Sequence, residues 1–183
     1  MGLHLEDLEI SAEPALNLTE YATVSIAFEI QHLLRTKDYD SIPGNAPTDW
    51  PNRFNMASWG LFSARLNGKL VGGAIVAHNT LDVDMLEGRT DLAILWDLRV
   101  APEYRGQGIG SALWKVAETW SIRKACRQLK VETQNINVGA CTFYARQGCY
   151  LGESNPHAYP DFPEETQLLW YKDLPPAIDN LSL

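Results

Sequence analysis

The sequence predicts a single mixed α/β (α+β) domain, and three observations carry that prediction. Apolar residues alternate on either side of Asn67-Gly68, a glycine cluster at 106–110 closes one apolar run and opens a helical one, and no repeat or linker divides the chain. Strands followed by helix, strand, helix and strand make one layered structure. A chain of 183 residues can bury a core of its own. The domain is expected to span residues 1–174, with 175–183 as a flexible tail.

In chain order, residues 21–30 place Ala22, Val24, Ile26, Phe28 and Ile30 on one parity and read as a strand. Its later part could continue as a helix through Leu34. Residues 37–55 hold three Pro, a Gly and several Asp, the composition of a long irregular connection. Asn67-Gly68 then lies between two apolar segments, 59–66 and 69–77, and a type I′ turn there makes them an antiparallel hairpin. Residues 79–91 are polar and acidic, hence a loop, and 93–100 form a short apolar run suited to a buried strand. A helix begins near Gly108, with Ile109, Leu113, Val116, Ala117 and Trp120 along one face and Arg123 and Lys124 at its end. Leu129, Val131 and Thr133 mark another strand, 138–147 another helix ending at Gly148, and 166–171 the last strand.

Composition excludes several classes of function. A formal charge of −8 argues against nucleic acid as a partner, because phosphate neutralisation by Lys and Arg dominates that binding. Cys126, Cys141 and Cys149 lack metal-type spacing and the four His are scattered, so reduced thiols and no metal are expected. The N-terminus is acidic where a signal peptide is basic, and Glu6 breaks a myristoylation pattern. Without an apolar run of membrane length, a cytoplasmic protein with no membrane partner is expected, and a homodimer stays open.

The chemistry concentrates at Arg105-Gly106-Gln107-Gly108-Ile109-Gly110, followed by Ser111. A strand running through glycines into a helix start makes an anion site, because the first helical N–H groups are unpaired and the dipole is positive there. No acid occupies the first turn, and Arg105 adds a charge beside it. A phosphate loop of the Walker type needs Gly-Lys-Ser/Thr where Gly110-Ser111-Ala112 stands, and Ser111 occupies the sixth position where a dinucleotide fingerprint needs glycine.

Arg105-x-x-Gly108-x-Gly110 after Leu98-Arg99-Val100-Ala101-Pro102 resembles the acetyl-CoA pyrophosphate motif of the GNAT superfamily. Asn137-x-x-Ala140-x-x-Phe143-Tyr144-x-x-x-Gly148 is similar to the helix that follows in that family and reaches the pantetheine arm and thiol. The resemblance implies a partly splayed, mostly antiparallel sheet flanked by helices, with Leu98, Arg99 and Val100 offering backbone groups to the pantetheine amides. It implies acetyl-CoA as co-substrate and direct attack of an amine on the thioester. Cys141 is then a packing residue, with no nearby His to activate it.

Two proton transfers follow from that chemistry. Tyr144 matches the family position that assists the departing thiolate, though it could serve only as a helix aromatic. The attacking amine must lose a proton, and Glu132 is the first candidate base, where related enzymes often carry a glutamate. Asp97, which interrupts an apolar strand, is the second. Either carboxylate could equally be held by Arg99 or Lys130 in a structural pair.

The stretch from Val131 through Tyr144 to Gly148 and Gly152, with Tyr159, Phe162 and Leu168-Leu169-Trp170-Tyr171 beyond, looks like streptothricin N-acetyltransferases, antibiotic-resistance enzymes. That implies a small-molecule amine acceptor. The acids Asp82, Asp84, Glu87 and Asp91 could attract a cation or form a solvated loop, and Tyr159 and His157 could wall the acceptor pocket. Acetylation of a protein amine and acyl-CoA sensing without turnover both stay open.

Overall fold

A computed structural model describes residues 7–14, 17–30, 33 and 35–177. Its N-terminal part departs most from the pattern of the sequence. β1 (Leu8–Ala12), unread because five residues with weak alternation carry little signal, forms a sheet edge. α1 (Leu18–Tyr21) is a single turn whose cap Asn17 accepts from the Thr19 and Glu20 amides, each at 3.1 Å. This turn consumes the start of the strand expected over 21–30. Only β2 (Phe28–Ile30) is extended in a ladder, and it pairs with β3 (Arg35–Lys37) in a ribbon separate from the main sheet. A period-two pattern needs a neighbouring ladder to become a strand, and residues 22–27 have none. The suggested helical continuation to Leu34 lies outside the described residues, as do 178–183 of the expected tail.

Residues 37–55 are irregular as expected, with 3-10 turns at Tyr39–Ser41 and Pro47–Asp49 and one helical turn, α2 (Trp50–Arg53). The hairpin is β4 (Gly60–Leu66) and β5 (Lys69–His78), joined by Asn67 at φ 50 and Gly68 at φ 78, the two positive values that a type I′ turn demands. β6 (Leu92–Val100), α3 (Ile109–Arg123), β7 (Gln128–Gln134) and α4 (Val138–Arg146) follow where the sequence puts them. β8 (Tyr150–Asn155) is exposed along its whole length and so lacks the buried face that periodicity detects. β9 (Gln167–Asp173) closes the fold.

The main sheet runs β1-β4-β5-β6-β7-β9-β8, antiparallel throughout except between β6 and β7. Alternate residues serve two cores. Val71, Ala74, Val76 and Leu95 pack with Ile109, Leu113, Trp114 and Ala117 of α3. Ile75, Ala77, Leu92 and Ile94 pack on the other face against Tyr21, Trp50 and Trp59. The α3 stripe is rotated from the expected one: Trp114 is buried, while Val116 and Trp120 stay half-exposed at its margin.

Two departures from ladder geometry position the site. β6 and β7 pair only at Leu92–Gln128, Ala93–Leu129 and Ile94–Lys130, and beyond that point they diverge. On its other edge β6 carries a bulge, since Ile75 faces Asp97 while Val76 faces Leu95, leaving Trp96 unopposed.

Candidate active site

A cleft of about 1260 Å³ opens where β6 and β7 part, and it has two arms. One lies over the loop at 105–111 and α4, the other between the bulge of β6, the end of β7 and the N-terminal segments.

In the first arm the chain leaves β6 through a 3-10 turn at Pro102–Tyr104 and enters α3 through Gly106 at φ 74 and Gly108 at φ 90. Gly108 is the N-cap, no side chain caps the helix, and the first turn holds no acid. The first-turn amides are therefore left for an external acceptor. A Cβ on Gly106 would meet nothing within 4 Å, so the approach is open. Backbone groups, rather than the Arg105 charge, dominate this site. Arg105 lines the cleft, but its guanidinium donates to the carbonyls of Val100, Ala27 and Ser25 at 2.9, 2.7 and 2.8 Å. Its role in this geometry is to tie the 25–27 segment to the loop. Gln107 donates to Glu103 O at 3.0 Å and Ile109 is fully buried, so neither side chain lines the cleft.

Leu98, Val100, Gly108, Gly110, Ser111 and Asn137 do line it, together with Ala140, Phe143 and Tyr144 of α4. Asn137 caps α4 by accepting from the Ala140 amide at 3.1 Å, and Gln147 donates to Ser111 Oγ at 3.2 Å, which latches the end of α4 to the start of α3. A Cβ at Gly110 would touch the Phe143 ring at 3.4 Å, so the glycine sets how closely the two helices approach. Tyr144 packs against Phe143 and Trp114 with ring centroids 5.1 and 5.7 Å away. Burial pushes its hydroxyl well above the ordinary phenol range, and the charges of Asp97 and Cys149 add to this. It therefore stands as a neutral donor at the cleft. Cys141 Sγ donates to Gln134 O at 3.7 Å and does not line the cleft, in keeping with packing.

The two carboxylates differ sharply in the second arm. Asp97 is buried and engaged: Arg99 donates to both its oxygens at 2.7 and 3.0 Å, and the Tyr21 hydroxyl donates at 2.6 Å. Arg99 also bridges to Asp40 at 2.7 Å and to Val24 O at 3.1 Å. Glu132 instead accepts from neutral groups, the Tyr159 hydroxyl at 2.5 Å and Gln167 Nε2 at 2.7 Å. No cation among the described residues pairs with it. Lys130, two residues away on the same face of β7, is engaged elsewhere, donating to Met85 O at 2.9 Å and pairing with Glu87.

Tyr159 and Phe162 line this arm, whereas His157 is exposed and does not. None of Asp82, Asp84, Glu87 and Asp91 reaches the cleft, and Glu87 and Asp91 pair with Lys130 and Arg89. Sequence reasoning missed Tyr39, Asp40, Trp50, Trp96 and Glu165. Trp96 was signalled by an aromatic inside an apolar run, but the others come from connections whose composition carries no trace of where they fold.

A strand pair that parts beside an uncapped, glycine-led helix start leaves free first-turn amides and an open strand edge for a ligand. The acetyltransferase (GNAT) family profile matches residues 27–149, and the chain belongs to that family. It is similar to streptothricin acetyltransferase A of Bacillus subtilis, 37% identical over 81 residues, 43% of this chain and 47% of the relative. The chain thus aligns with about half the length of that curated relative. Among solved structures, a Bacillus anthracis protein crystallised with acetyl coenzyme A shares the fold at a TM-score of 0.70 and 20% identity, covering 91% of this chain and 99% of that one. The ribosomal-protein-S18-alanine N-acetyltransferase of Escherichia coli does so at 0.65 and 19%, covering 96% and 99%.

Proposed function

We propose that this enzyme transfers the acetyl group of acetyl-CoA directly to a primary amine of a small cationic acceptor of the streptothricin kind. The observation that carries the acceptor class is Glu132, a carboxylate on the cleft wall with no cationic partner among the described residues. An ammonium supplies the missing charge. Net charge of −8 favours its approach.

Acetyl-CoA supplies the reactive thioester. Amides at the start of α3 take its pyrophosphate, and the freed edge of β6 beyond Ile94 can pair with its pantetheine amides. An alkyl ammonium of pKa ~10.4 is neutral in roughly one molecule in a thousand near pH 7, so the site must help remove a proton. Glu132 is the proposed base, directly or through a water. Asp97 is the weaker candidate because Arg99 and Tyr21 saturate it. Tyr144 donates a hydrogen bond to the departing thiolate. With its pKa held above that of a thiol, it stabilises the charge more readily than it surrenders the proton.

The test is acetyl transfer to streptothricin, to spermidine and to a Lys-containing peptide between pH 6.5 and 9.5, for the parent and Glu132→Gln. The loss in the variant should be largest at neutral pH and shrink as free amine becomes abundant. Transfer to the peptide with none to either small amine would move the acceptor to protein amines.

A further inference from the structure

Glu165 lies in the connection before β9, 1% exposed, and yet it forms part of the cleft wall. Its carboxylate accepts from Lys37 Nζ and from the Tyr39 hydroxyl, both at 2.6 Å. Both partners come from the N-terminal segment, more than a hundred residues away in sequence. Resting on the amine-acceptor reading above, we infer that Tyr39 contacts the acceptor ammonium and that Glu165 is the positioning residue that aims it. The acceptor nitrogen is then held between two tyrosine–carboxylate pairs, Tyr39–Glu165 and Tyr159–Glu132.

The pairing of donors and acceptors selects the ligand. Each phenol commits its proton to a carboxylate, Tyr39 to Glu165 and Tyr159 to Glu132. Tyr39 still offers its oxygen lone pairs, whereas Tyr159 already accepts from Gln134 Nε2 at 3.1 Å and offers only its second. Burial first, then the facing carboxylates, keep both hydroxyls far above their ordinary range, so they stay protonated. Tyr39 also feels Tyr159 and Glu132, and Tyr159 feels Glu165, which puts the four groups in one electrostatic neighbourhood. An alkyl ammonium carries three N–H donors and no acceptor, the complement of two phenol oxygens and one carboxylate. An alcohol, with one donor, satisfies only a third of that set.

Charge points the same way. Lys37 neutralises Glu165 and its ammonium sits 3.6 Å from the Phe162 ring centroid, so it is locked in place and cannot swing to Glu132. Of the two tyrosine–carboxylate pairs, only Glu132 therefore keeps an uncompensated negative charge for the ligand. Positioning is needed because Tyr39 opens a 3-10 turn inside the irregular 37–55 connection, where no sheet ladder fixes it. The turn is held from below by Asp38, which accepts from the Asp40 amide at 3.1 Å, and by Asp40 on Arg99. The tyrosine ring itself is aimed through its hydroxyl by Glu165. That residue is anchored by its amide to Phe162 O at 2.9 Å and by its neighbour Thr166, which accepts from the Asn135 amide at 3.0 Å and donates its own amide to Asn135 Oδ1 at 2.7 Å.

The test is calorimetric titration of spermidine and of streptothricin into the CoA-saturated protein, for the parent, Tyr39→Phe, Glu165→Gln and, as a control at the neighbouring position, Glu164→Gln, whose exposed pair with Arg35 does not line the cleft. Losing one hydrogen bond to a charged ligand should weaken amine binding about tenfold or more in the first two variants. Acetyl-CoA affinity and the control should stay at parental values. Equal amine affinity in Tyr39→Phe, a parallel loss of acetyl-CoA affinity, or no binding of either amine by the parent overturns the inference. Should Glu165→Gln not fold, Tyr39→Phe decides alone, since it keeps the Lys37–Glu165 pair. Amine binding with the expected losses but without acetyl transfer would support the clamp and sink the transfer chemistry instead.

Discussion

Replacing Gly108 by valine puts a β-branched residue at φ 90 and ψ −11, the cap position of α3. An L-residue pays about 1–2 kcal/mol to sit in the left-handed region, and a β-branched one more. That energy must appear somewhere. If the loop keeps its shape, folding loses it, and at about 2–4 °C per kcal/mol for a chain of this size the Tm falls by roughly 2–8 °C. If the loop relaxes, the first-turn amides move off the pyrophosphate, and each ~1.4 kcal/mol lost weakens acetyl-CoA binding tenfold. The isopropyl group also stands where the ligand must approach, so binding should fall about tenfold or more even when stability absorbs the strain. Calorimetry with acetyl-CoA and thermal unfolding of the same samples separate the two routes. Gly68→Ala is the control, because φ there is 78 and a Cβ meets nothing within 4 Å, but Gly68 does not line the cleft. It should lower Tm and leave affinity alone. A folded Gly108→Val protein that binds acetyl-CoA as the parent does would refute the loop as the pyrophosphate site.

Tyr144→Phe should keep acetyl-CoA affinity and lower kcat about 10- to 100-fold, the value of one hydrogen bond to a developing charge, read by steady-state kinetics beside binding. Asp97→Asn should act on stability before chemistry. It leaves the buried Arg99 with only part of its partner set, at about 3 kcal/mol, seen as a fall in denaturation midpoint. Alkaline stability should follow two thiols. Burial pushes Cys126 and Cys149 up to about 11, so the unfolded chain loses these protons first. Stability should therefore hold to about pH 8.5 and decline toward pH 11, by up to about 3 kcal/mol per thiol, and Cys126→Ala with Cys149→Ala should flatten that slope in urea titrations.

The glycine loop and α4 were legible from the sequence because their geometry is local. Gly106, Gly108, Gly110 and the α3 start are contiguous, and Asn137 to Tyr144 occupy consecutive turns of one helix, so spacing alone sets their geometry. The hairpin at Asn67-Gly68 is local in the same sense. The wall around Glu132 and Asp97 is not. Glu132 and Asp97 look alike in sequence, each an acid within a strand. The fold distinguishes them by giving Asp97 to Arg99 and leaving Glu132 to Tyr159 and Gln167. The Arg105 charge was visible too, but not that three carbonyls would take up its donors. Tyr39 and Glu165 meet across 126 positions, through connections whose only periodicity is absent. A sequence determines which side chains have short-range partners, because helix and turn geometry repeat. Which buried charge is compensated depends on contacts closed by the whole sheet, and only the tertiary structure decided that.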